Sequence, residues 1–272
     1  MVKKLFKHEM LSYLRLWLPM QAVLLAIAFF MRILLFFESD NTAYKISFGS
    51  SYFLYIVAIM ASVAVTLVFA IIRFYKNLFT HEGYLTFTLP VSPMAHIFVK
   101  VATAVLFTVF SLLSVVISIM VVTSGELLIE IFKAIGYIVK QAFTHADGLH
   151  LVLYLLEMIA LFLVSLAGSL LFYYTCIAIG QMAKKNRKIA AFGAYFGFYV
   201  ISQIISTVFV ILFATNPDLW ANMFEDIMSF AIDHPYAFIH LFFLVSTLIS
   251  GAFSALYFFV THLIIRKKLN LE

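Results

Sequence analysis

The residues best suited to chemistry in this chain are few and widely spaced. His81 and Glu82 open the pattern of a zinc-protease helix, in which a second histidine one turn on completes the metal site and the glutamate serves as base; Leu85 stands at that position instead. His145, Asp147 and His150 form an H-x-D-x-x-H cluster of metal-ligating types. At the outer end of a long apolar segment, it reads as a solvated surface group. Glu157 lies about two turns into that segment, where an ionised carboxylate needs a partner or water. Arg32, near the outer end of the first apolar segment, is its candidate partner. The pair would either tie two spans together or place a carboxylate where a cationic substrate passes. The phosphate-cradling pattern G-x-x-x-x-G-K-[ST] does not occur, so nucleotide-driven work would need a separate polypeptide. The single cysteine, Cys176, sits in an apolar run and cannot form an intramolecular disulfide.

The elements that must position these groups are hydrophobic segments. Of 272 residues, 64% are hydrophobic and 11% charged, and 31 are phenylalanine, which leaves too little polar surface to coat a soluble domain of this size. Runs able to cross about 30 Å of hydrocarbon lie at Leu16 to Phe37, Tyr52 to Ile72, Val101 to Val122, Leu151 to Met182, Ile189 to Ala214 and Leu241 to Ile265. An all-α, six-span membrane protein is expected, with the fourth run long enough to tilt or to project near Gly180. The 18 Lys and Arg fall on one side of these spans except Arg32, Lys45, Lys133 and Lys140, which places both termini in the cytoplasm and the chain in the cell membrane. Because the basic residues cluster between apolar runs instead of along one polar face, the net charge of +5 reads as topology and nucleic acid is not an expected partner.

The connections carry structure of their own. Residues 123–150 repeat apolar side chains at Leu128, Ile131, Ile135 and Ile138, a helical spacing. Residues 215–240 contain a second such segment, with Trp220, Met223, Phe224, Ile227 and Phe230 opposed to acids; both read as helices on the outer surface. Before the first span, residues 1–15 have Leu5, Phe6, Met10 and Leu14 on one side and charges on the other, as an interfacial helix does. Between the second and third spans, residues 73–100 are polar and aromatic, with Gly83 breaking a short helix and Pro90 and Pro93 following.

In this order of features the chain resembles the permeases of type-2 ABC exporters. The amphipathic amino-terminal helix stands for that family's connector, Phe74 to Phe87 for its coupling helix, Leu89-Pro90-Val91-Ser92 for its Leu-Pro-Val-Ser segment and Lys100 for the lysine opening the third span. The resemblance is specific only over roughly residues 70 to 101, and Asp218 to Asp233 matches the family's re-entrant segment loosely. It implies one permease domain over 1–272, docking through Phe79, His81, Glu82, Gly83, Tyr84, Leu85, Leu89 and Pro90 onto an ABC ATPase subunit that binds ATP and Mg. It also implies a second permease subunit, identical or related, and an amphipathic or hydrophobic cargo such as a peptide, drug or lipid-like molecule. This chain itself would bind no cofactor and carry no catalytic site. The alternative reading is a six-helix secondary carrier or an intramembrane enzyme; Glu157 alone comes close to the buried ionisable groups a carrier uses.

Overall fold

The structure is a computed structural model describing residues 2–37, 41–80, 83, 91–123, 125–144 and 148–267. Among these, eight helices and no strands occur: α1 (Val2–Phe36), α2 (Thr42–Phe79), α3 (Pro93–Val122), α4 (Glu126–Thr144), α5 (Gly148–Gly180), α6 (Arg187–Thr215), α7 (Pro217–Asp233) and α8 (Pro235–Lys267). Six of them, all but α4 and α7, are long and apolar enough to cross a membrane. Each covers one of the six apolar runs read from the sequence, the first run passing the end of α1 by one residue and the fourth passing the end of α5 by two, and α4 and α7 form in the two connections expected to be helical.

Local signals explain the boundaries. Ser92 caps α3, its side chain accepting from the amide of Ala95, and Pro93 fills the first helical position, where a missing N–H costs nothing. Asn41 caps α2 in the same manner through Ala43. Gly125, at φ 77°, turns the chain between α3 and α4 in a conformation that L side chains avoid. Prolines open α7 and α8.

Two elements run further than the sequence suggests. α1 spans 35 residues without interruption, so residues 2–15 are continuous with the first span. Pro19 within it lacks the N–H that would bond the carbonyl of Arg15, which marks the place where this helix can bend. α2 spans 38 residues and absorbs Phe74 to Phe79, the first half of the expected short helix. At about 1.5 Å per residue, both exceed 50 Å, well beyond the hydrocarbon thickness.

The chain comprises two compact units, Met1–Gln141 and Ala142–Glu272, with α4 crossing the boundary between them. In the first, α1, α2 and α3 pack against one another. The buried positions recur every three or four residues, as a helix facing two neighbours requires: Glu9, Tyr13, Gln21, Leu24, Ala28 and Met31 on α1, and Ser62, Thr66, Ala70, Phe74 and Leu78 on α2. Lys100, Thr103, Phe107, Ser111, Ser114 and Ser118 form the matching row on α3.

In the second unit α5 lies along α8, α6 packs on α5, and α7 adjoins α6 and α8. Partners on α5 and α8 rise together, from Tyr154 with Tyr236 to Thr175 with Thr261, so these two helices run parallel. α6 buries no residue within the chain, leaving its apolar side chains from Ile201 to Phe213 for lipid or another subunit.

The end of α5 comes close to the backbone of α6. A Cβ at Gly180 would lie 2.5 Å from Ala191 Cα, Cβ and N, whereas one at Gly193 would meet nothing within 4 Å. Because backbone cannot rotate away, Gly180→Ala should cost about 1–3 kcal/mol by overpacking, and Gly193→Ala should leave stability unchanged or slightly raised. Thermal unfolding of the two variants in one detergent checks the contrast.

Candidate functional site

Three charged side chains meet where α1, α2 and α3 pack. Glu9 Oε1 accepts from Arg73 Nε at 2.8 Å and from Lys100 Nζ at 2.9 Å, and Oε2 accepts from Arg73 Nη2 at 3.0 Å. The Glu9 and Lys100 side chains are 7% and 6% exposed and that of Arg73 is 18% exposed. Tyr13, one turn beyond Glu9, carries the Arg73 guanidinium 5.8 Å from its ring centre and stacks on Phe107 at 5.1 Å. A carboxylate so far removed from water is tolerable only because two cations reach it, one of them bidentate.

Polar contacts continue along the same seam. Ser111 receives the indole N–H of Trp17 at 2.8 Å, the amide of Gln21 at 3.3 Å and a hydrogen bond shared with Thr66 at 2.8 Å. Further along, Tyr55 and Ser118 are paired at 3.0 Å. Each hydroxyl on α3 also bonds a carbonyl of its own helix where no neighbour serves, as Thr103, Thr108 and Ser114 do.

The position of the charged node gives it mechanical meaning. Arg73 sits on α2 just before the 80–92 connection and Lys100 on α3 just after it, and both hold the amino-terminal segment of α1 through one residue. A displacement of that connection therefore reaches α1 through charge-assisted bonds as well as through the helices that carry it.

Of the residues expected to dock on a partner, Phe79 is 4% exposed with its ring on Phe74 at 5.8 Å, so it roots the connection in the bundle. Gly83 is buried and its amide donates to Thr80 O at 2.7 Å. His81, Glu82, Tyr84, Leu85, Leu89 and Pro90 lie outside the described residues. Arg32 donates to the carbonyl of Val122 at 3.5 Å, joining the far ends of α1 and α3. Glu157 takes its partner from α8, within its own unit.

That partner is His240. Its Nδ1 lies 2.8 Å from Glu157 Oε1 and its Nε2 lies 2.9 Å from His150 Nδ1, giving a linear chain of carboxylate, imidazole and imidazole. With Glu157 ionised and His240 neutral, His240 donates to Glu157, accepts from His150, and leaves His150 Nε2 as the terminal acceptor. Tyr236 stacks on His150 and Tyr154 lies over His240, each with ring centres 4.6 Å apart. Of the H-x-D-x-x-H cluster, His145 and Asp147 lie outside the described residues, and His150 turns Nδ1 toward α8.

Deeper along the α5–α8 seam, an open groove of about 460 Å³ is lined by hydroxyls of Ser165, Ser169, Ser250 and Ser254 together with the rings of Phe172 and Tyr257. It offers hydrogen-bonding groups on an aromatic wall. An amphipathic molecule needs both.

Comparison of the chain with protein-family models, with curated proteins and with solved structures yields no match. The site therefore stands on its own geometry.

Glu9→Gln removes the charge that buried Lys100 and partly buried Arg73 share and should cost about 3–5 kcal/mol of stability. Adding Lys100→Met should recover part of that loss, since one stranded cation is then gone; detergent unfolding of the two single variants and the double variant measures the coupling. Glu157→Gln keeps an acceptor for His240 but exchanges a charge-assisted bond for a neutral one, so its cost should be nearer about 1 kcal/mol.

Proposed function

We propose that this chain is the membrane-spanning permease subunit of an ATP-driven exporter of the ABC type, working with a separate ATPase subunit and a second permease subunit in the cell membrane. The observation that carries the reading is the Glu9 node. A permease driven by a separate motor needs its cytoplasmic connection joined firmly to the spans, and here both legs of the 80–92 connection are bonded to the amino-terminal helix through one buried carboxylate. The distribution of Lys and Arg supports a cytoplasmic position for this end, where an ATPase could reach it.

In this account ATP binding draws two ATPase subunits together, the connection between α2 and α3 moves with them, and the node transmits that movement to α1. The hydroxyl-lined, aromatic groove between α5 and α8 suits an amphipathic or hydrophobic cargo, a peptide, drug or lipid-like molecule. The uncovered apolar faces of α6 supply a seat for the second permease subunit.

A second reading has its own observation. The Glu157–His240–His150 chain is of the kind that a proton-coupled secondary carrier uses, and it needs no ATPase. The two readings separate in proteoliposomes. Co-expressed with an ATPase subunit of the ABC type, the permease should co-purify and transport only with ATP; transport by the chain alone under a proton gradient would establish the carrier.

Topology offers a simpler test. Cys176, the single cysteine, is buried, so Tyr84→Cys in a Cys176→Ala background provides one reactive thiol. A membrane-impermeant maleimide should label it in inside-out vesicles and leave right-side-out cells unlabelled. Labelling from the exterior would remove the basis for an ATPase contact.

A further inference from the structure

The amino-terminal helix has a second face that neither the charged node nor the transport reading uses. Glu9 and Tyr13 turn inward to α2 and α3, while Lys3, Lys7, Met10, Leu11 and Leu14 recur at helical spacing on another side. A groove of about 760 Å³ runs along that side, within the range of roughly 300–1,000 Å³ typical of small-molecule sites. Its composition changes along the axis. Lys3, Lys4 and Lys7 line the first two turns with Phe6 between them, and Met10, Leu11 and Leu14 line the next two, with Phe107 of α3 on the inner wall.

Charge and position identify an occupant. The three lysines are exposed, and among the described residues no carboxylate pairs with them. The apolar half is open as well, Leu11 being 46% and Leu14 39% exposed. A cationic end followed within about 10 Å by an apolar trough matches an anionic headgroup followed by an acyl chain. It is also the arrangement a basic helix end adopts at the anionic surface of a cytoplasmic leaflet, where Lys and Arg concentrate.

We propose that this groove is a binding site for one anionic phospholipid, its phosphate held by Lys3, Lys4 and Lys7 and one acyl chain lying along Met10, Leu11 and Leu14 against Phe107. The inference does not depend on what the protein transports. The lipid is a bound component of the first unit and is distinct from cargo.

Trp17 reports on the site because its ring lies 5.7 Å from that of Phe107. The chain has two tryptophans, so Trp220→Phe leaves Trp17 as the only emitter. The full chain in phosphatidylcholine nanodiscs is titrated with phosphatidylglycerol carrying brominated acyl chains and, separately, with phosphatidylcholine carrying the same chains. Brominated phosphatidylglycerol should reach half-quenching at a mole fraction about tenfold lower. That preference should shrink with added salt and vanish in the variant K3Q, K4Q, K7Q, whose substitutions are all at exposed positions. Equal quenching by the two lipids in the unsubstituted chain overturns the proposal and is the result expected if a protein partner or nothing occupies the groove. A preference that survives the triple substitution with helical content intact, or that ignores salt, overturns it as well. Should the triple variant lose helical content, the salt titration of the unsubstituted chain decides.

Discussion

A buried carboxylate between a guanidinium and an ammonium is the constraint from which the first unit follows. In a low-dielectric surrounding an isolated Glu9 would be intolerable, and so would Lys100 at 6% exposure, so neither helix can keep its place without the other. Apolar packing between spans is weakly directional, because lipid tails satisfy Leu and Phe nearly as well as a neighbouring helix does. The ion node and the hydroxyl contacts of Ser111 and Ser118 supply the direction that packing lacks, selecting one register among α1, α2 and α3.

The second unit solves the same problem with different groups. Its parallel pair α5 and α8 is registered by the Glu157–His240–His150 chain near one end and by Thr175 with Thr261 near the other. Between them the helices are joined by a long contact of Ser165 with Ser250 and by Ser254, and the seam opens into the groove. In the middle of the seam Gly168 lets α8 approach closely, a Cβ there lying 2.5 Å from Ser254 Oγ, and the groove opens beside that contact.

Much of the architecture was legible because six long apolar runs admit few interpretations; the α4 and α7 segments were legible from the spacing of Ile131, Ile135 and Ile138 and of Trp220, Phe224 and Ile227. The site was less so. Glu9 reads as one charge on the polar side of an amphipathic helix, and nothing local joins it to Arg73, 64 residues away, or to Lys100, 91 away. One signal was present: Lys100, Thr103, Ser111, Ser114 and Ser118 lie at helical spacing in an apolar segment, which marks a face turned to polar neighbours. The depth of Glu157 in its apolar run signals a need for a partner, and charge alone points to Arg32, whereas His240 reaches it through the parallel packing of α5 and α8. Such pairings belong to tertiary register, which the periodicity of one helix cannot express.

The separation between Glu9 and its cations also bears on how the protein is made. At about 5–20 residues per second, the ribosome delivers Lys100 roughly 5–18 seconds after Glu9. Arg73 follows Glu9 by 64 residues and so is synthesised before Lys100, which leaves the acid with one of its two cations until α3 is made. The third hairpin leg then arrives with its lysine at the same depth, and the early helix is locked by a late one, so that assembly of this half is deferred until the whole of it has been synthesised.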